Sequence, residues 1–114
     1  MARDDYYVIV YQVLSYLYQQ LKAGKDVDPQ LIKHDSKYLR INRKYWTYVM
    51  VNLLKDGYIR GFAMDEDLEG NINFYNLDCC EITPKGIEYL TENSTIEKAK
   101  RFAKEFVDVI VPFF

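Results

Sequence analysis

The chain has 114 residues, of which 49% are hydrophobic and 28% charged, and its formal net charge is -2. That length suits one domain with its own core, and the composition excludes both a disordered chain and a uniformly basic or acidic tail protein. The longest uncharged run, Tyr6 to Leu21, is broken by Gln12, Ser15, Gln19 and Gln20, which falls short of the roughly 20 apolar residues of a membrane span. Acidic Asp4 and Asp5 precede that run and no small-residue cleavage site follows it, so a cytoplasmic protein with no membrane partner is expected.

Tyr6, Val10, Val13, Leu14, Leu17 and Leu21 recur at helical spacing, with Asp4 or Asp5 as cap and Gly24 as stop. This predicts a first helix from Asp5 to Ala23 whose opposite face carries Val8, Gln12, Ser15 and Gln19. Asp28 followed by Pro29 opens a short second helix through Leu31 and Ile32, ending near His34 to Ser36. Asn42 then caps a third helix from Arg43 to about Asp56, with Trp46, Val49, Met50, Leu53 and Leu54 inward and Gly57 as a left-handed stop.

Tyr58 to Met64 is rich in strand formers, residues 65–71 make a polar acidic turn, and Ile72, Phe74 and Cys80 to Ile82 return as strand. Thr83 and Pro84 open a further helix that buries Ile87 and Leu90. Ser94 with Glu97 has the spacing of a capping box for a last helix. Its apolar face runs through Ile96, Ala99, Phe102, Ala103, Phe106, Val109 and Ile110, and Pro112 discourages continuation.

This order predicts an α+β winged helix-turn-helix over residues 1–93, with an added amphipathic helix in residues 94–114 packed on it as part of the same domain. Two runs also carry a resemblance. Leu53-Leu54-Lys55-Asp56-Gly57-Tyr58-Ile59 and Ile82-Thr83-Pro84-Lys85-Gly86-Ile87-Glu88-Tyr89-Leu90-Thr91-Glu92-Asn93, followed by Thr95, Lys98 and Ala99, resemble the YjcQ-like family of Firmicutes and their phages. The resemblance implies a winged-helix-like fold and a prophage origin. It brings no activity and no functional residue with it.

No catalytic or metal constellation is legible, and no cofactor is expected. His34, Asp35 and Ser36 are consecutive and cannot converge as a triad, so His34 is expected in a surface turn. Adjacent Cys79 and Cys80 suit neither an ordinary disulfide nor a zinc site and are expected as free thiols. The acidic turn lacks the alternating ligands of a calcium loop. An enzyme is therefore not expected.

Charge is unevenly placed. Lys33 to Arg60 holds seven cations against Asp35 and Asp56, whereas Gly61 to Glu97 holds nine acids against Lys85 alone. The outward face of the third helix presents Lys44, Thr47, Tyr48, Val51, Asn52 and Lys55, with Arg40 and Arg43 at its start. Lysine and arginine neutralise phosphates and asparagine pairs with adenine in the major groove. Arg40, Arg43, Lys44, Thr47, Tyr48, Asn52 and Lys55 are accordingly the candidate nucleic-acid-binding residues of a DNA-binding regulator. The alternative is a phage-derived protein-interaction or structural module that binds a protein partner, which the acidic turn favours through its repulsion of phosphate. Five of the 11 tyrosines lie on the first helix, and its wide apolar girth with the apolar end from Phe106 to Phe114 predicts a homodimer through the first and last helices.

Overall fold

Helix α1 (Tyr6–Ala23) stops where the sequence predicts, at Gly24 with φ of 67°. Asp5 stands at the N-cap, but its carboxylate turns back to accept the Ala2 N–H at 2.9 Å and caps nothing. Every residue from Val8 to Leu17 is buried. Val8, Gln12 and Ser15, expected outside, are therefore inside, while Leu21, expected in the core, is 50% exposed. The cause is topological, because elements from the rest of the chain pack around the stretch from Val8 to Leu17 and leave it no outward side.

Gln12 is only 1% exposed, and a buried amide requires partners. It donates to the Asp108 carbonyl at 2.8 Å and accepts the Ile110 N–H at 3.1 Å, straddling Val109 as a residue of a parallel strand would. The apolar girth of α1 from Val8 to Leu17, one of the two grounds for expecting a second subunit, is thus taken up within one chain.

The computed structural model describes residues 1–110; the predicted stop at Pro112 and the apolar end beyond Ile110 lie outside the described residues. After α1 come α2 (Pro29–Ile32), α3 (Arg43–Lys55), β1 (Ile59–Arg60), β2 (Ala63–Glu66), β3 (Ile72–Tyr75), a 3-10 turn (Leu77–Cys79), β4 (Glu81–Ile82), α4 (Pro84–Glu92) and α5 (Ser94–Phe106). The arrangement is α+β, with helices around two small two-stranded sheets, and its order is compatible with a winged helix.

Asp28 caps α2 by accepting the Gln30 N–H, and the helix ends at Ile32, earlier than expected. Buried Ser36 then organises the turn, its hydroxyl accepting the N–H groups of Tyr38 and Leu39. Asn42 caps α3 through the Tyr45 N–H at 2.8 Å, and Gly57, with φ of 79°, follows Asp56 at its end.

The strands form two ladders in series. Ile59 faces Ile82 in β1–β4, and Ala63 to Glu66 face Tyr75 to Ile72 in β2–β3. Between them Gly61, at φ of 99°, lies against the Cys79 carbonyl so closely that a Cβ would collide with it. The return strand accordingly breaks into the 3-10 turn. Asp65 and Glu66, expected in the turn, belong to β2.

Helix α5 packs on α1 and α4. Its cap is Asn93 rather than Ser94, with Asn93 Oδ1 accepting the N–H groups of Thr95 and Ile96. Glu97 makes no capping box and pairs instead with Arg101 at 3.4 Å. The helix ends at Phe106, so Val109 and Ile110 lie beyond it. Val107, Val109 and Ile110 are β-branched, and Gln12 offers strand-like bonds to the backbone of Asp108 and Ile110, which outweighs the helical spacing.

Candidate functional site

The orientation of α3 is fixed by what it buries. Trp46, Val49, Met50 and Leu53 are inside, the Trp46 indole N–H donates to the Ile32 carbonyl at 2.7 Å, and its ring meets Phe74 edge-on at 4.9 Å. A helix held so firmly on one side presents a defined surface on the other.

On that surface Lys44, Tyr48 and Lys55 are exposed and Thr47, Val51 and Asn52 half-buried, so Val51 offers less than the sequence suggests. Tyr48 is 61% exposed, with one edge on Tyr6. The Asn52 amide donates to the Tyr48 carbonyl at 2.8 Å. One amide proton and the oxygen remain for a base, after a change of rotamer.

Arg40, exposed at φ of 46°, immediately precedes the segment that enters α3. Exposed Arg43 reaches towards the Ile72 carbonyl at 3.5 Å. Arg43, Lys44 and Thr47 face Gly70, Asn71 and Ile72 across a cleft of about 460 Å³ between helix and hairpin. Among the described residues none of Arg40, Arg43, Lys44 and Lys55 pairs with a carboxylate; the ion pairs are Arg60–Glu81 at 2.9 Å and Arg101–Glu97.

The acidic hairpin divides into residues that build it and residues that do not. Asp67 Oδ1 accepts the N–H groups of Glu69 and Asn71, each at 2.9 Å, and these backbone donors, Asn71 first, hold its carboxyl below the usual range. Asp65 accepts from Asn73 and from the Tyr75 hydroxyl. Glu66 and Glu69 make no side-chain bond to a described residue, and Leu68 stands wholly in solvent.

His34 is half-buried, its ring 6.1 Å from that of Trp46, rather than simply in a surface turn. Both cysteines are free thiols, Cys79 exposed and Cys80 buried. Burial, then the nearby Glu81 carboxylate, pushes the Cys80 thiol up to about 12.

A family model described as YjcQ protein matches residues 11–109. The chain belongs to the YjcQ family. No curated protein and no solved structure matches it. In this YjcQ-family chain the two runs that carry the family resemblance meet in space. The Thr83 hydroxyl donates to the Gly57 carbonyl, Lys85 Nζ donates to the Asp56 carbonyl at 2.7 Å, and the Tyr58 and Tyr89 rings stack at 4.1 Å. Sequence reasoning missed this fastening; the glycine inside a helix at Gly86 was the available sign of a close approach, since a Cβ there would strike the Tyr58 carbonyl. The tyrosine-rich edge, where Tyr6 meets Tyr7 and Tyr48, was also not legible.

Proposed function

We propose that this YjcQ-family protein is a duplex-DNA-binding regulator that performs no catalysis and inserts α3 into the major groove. The observation that carries this reading is the pairing of a locked inner face on α3 with an outer face whose cations have no carboxylate partner among the described residues. In the proposed complex Arg40, Arg43, Lys44 and Lys55 contact phosphates, while Thr47, Tyr48 and Asn52 lie against base edges. The reading carries with it a cytoplasmic location and the prophage origin that the resemblance implies. No described helix is long and apolar enough to cross a membrane.

The test is affinity for mixed duplex DNA as salt rises. Four phosphate contacts predict a log–log slope of about -4, and absence of binding at low salt would end the reading. A second reading, a protein-interaction module without DNA binding, is favoured by one observation: the hairpin tip presents exposed Glu66 and Glu69, whose side chains have no partner among the described residues, and a fully exposed Leu68. It predicts no affinity for duplex DNA at any salt.

A further inference from the structure

A second and smaller cleft, of about 260 Å³, lies where the turn after α2, helix α3 and the return strand meet. Its walls come from four segments: Lys33 and His34 from the turn, Arg43 and Trp46 from α3, Phe74 from β3 and Leu77 from the 3-10 turn. Three of the six are apolar. Trp46 and Leu77 are buried, the Phe74 ring stands edge-on to the indole at 4.9 Å, and the His34 ring lies 6.1 Å from it. The other three bring an ammonium, a guanidinium and an imidazole, and no lining residue is acidic, in a chain whose net charge is -2. Among the described residues neither Lys33 nor Arg43 pairs with a carboxylate, and the His34 imidazole has no hydrogen-bond partner. Arg43 reaches only the Ile72 carbonyl, at 3.5 Å.

We infer that this cleft binds a small planar carboxylate, a single aromatic ring bearing one carboxyl group. Ammonium and guanidinium groups form charge-assisted hydrogen bonds with a carboxylate, bidentate ones from arginine, and an imidazole donates from at least one ring nitrogen in either charge state. The ring suits Trp46 and Phe74, since aromatic groups pack edge-to-face or offset on one another. The Trp46 indole N–H is committed to the Ile32 carbonyl, so the indole offers its carbon surface and the carboxylate belongs with Lys33, His34 and Arg43. The volume sets the size, being below the roughly 300–1,000 Å³ of pockets that take larger molecules. An inorganic anion leaves the aromatic wall uncovered, and a neutral ring leaves the cations without a counter-charge. The site stands independently of DNA binding, which enters only because Arg43 is also a proposed phosphate contact, so that the carboxylate and DNA compete for it; the binding itself is read without DNA.

The experiment uses benzoate as the probe on the full natural chain, with ionic strength held constant by chloride and binding followed by nitrogen-15 NMR. Saturable shifts are expected at the Trp46 indole N–H and at the backbone amides of Lys33, His34 and Phe74, with a Kd of about 1 mM or tighter. Benzamide, which keeps the ring without the charge, and inorganic phosphate, which keeps the charge without the ring, should each bind about tenfold more weakly or worse. Lys33→Gln with Arg43→Gln should weaken benzoate binding by about tenfold or more, with near-ultraviolet circular dichroism confirming the fold. Should that pair fail to fold, Lys33→Gln alone, which removes no bond to a described residue, is expected to weaken binding by about tenfold. Shifts that do not saturate or that lie elsewhere on the chain, phosphate or benzamide binding as tightly as benzoate, or an unchanged Kd in the variant would each overturn the inference.

Discussion

The Thr83 hydroxyl joins two segments distant in sequence: it donates to the Gly57 carbonyl and accepts the Gly86 N–H at 3.0 Å. Through it the end of α3, the approach to β1 and the start of α4 hold a common geometry. The family-like runs on either side of Gly57 and Thr83 are thus accounted for by architecture, because each supplies the groups the other needs.

Thr83→Val keeps the shape and removes both bonds, and is expected to lower stability by about 1–2 kcal/mol, as loss of an N-cap does. Gly86→Ala forces a Cβ against the Tyr58 carbonyl and should cost about 1–3 kcal/mol or more through overpacking. Urea denaturation of the two variants checks both values. A Gly86→Ala variant as stable as the natural chain would contradict the close approach.

On the proposed DNA-binding reading, Lys44→Glu with Lys55→Glu should weaken DNA binding across all sequences, because two of the proposed phosphate contacts are lost and two repulsions gained. Asn52→Ala should alter sequence preference more than overall affinity. Its bond to Tyr48 makes the readout conditional on a rotamer change, so discrimination should stay below the upper end of the about 1–3 kcal/mol that a bidentate adenine contact provides. Competition binding against a panel of duplexes separates the two effects.

A thiol reagent at neutral pH should modify one cysteine quickly and one only on unfolding. Cys79 is exposed, whereas Cys80 is buried and its thiol is held protonated up to about 12, so it offers almost no nucleophilic thiolate. Mass spectrometry after brief labelling should find one adduct, on Cys79. Rapid double labelling of the folded chain would refute the assignment.

Alkali should destabilise the fold in a defined window. Burial, followed by the Asp56 charge, pushes Tyr6 up from 10.0 to about 12, and burial raises Tyr89 as well. A folded pKa above the unfolded one means the folded state holds the proton more tightly. The stabilisation is therefore complete below pH 10, declines as pH passes that value and is lost through about 12. Denaturation midpoints across this range, with phenolate absorbance as the monitor, should fall together; a flat midpoint would exclude the linkage.

What could be read from the sequence was local chemistry. Asn42, Gly57, Thr83 and Pro84 announce helix ends through bonds made within a few residues, and the period of α3 separates Trp46 and Met50 from Lys44 and Lys55. The inner and outer sides of α1 could not be read, because Gln12 is buried by Asp108 and Ile110, nearly a hundred residues away in the chain. Asn93 and Ser94 are both competent caps, and a single residue's offset decided between them. On the candidate site the residue types were legible, but the turn of Asn52 onto Tyr48, and the division of the hairpin acids into structural Asp67 and exposed Glu69, depend on three-dimensional neighbours.

The indole of Trp46 is the only one in the chain, and it lies where α2, α3 and the hairpin converge, bonded to Ile32 and edge-on to Phe74. The molecule consequently contains its own optical probe. Any ligand that levers the hairpin away from α3 must separate Phe74 from that ring and admit water to it, so a red shift in emission reports hairpin displacement without a label, and an unshifted spectrum at saturation identifies a ligand that leaves the hairpin in place.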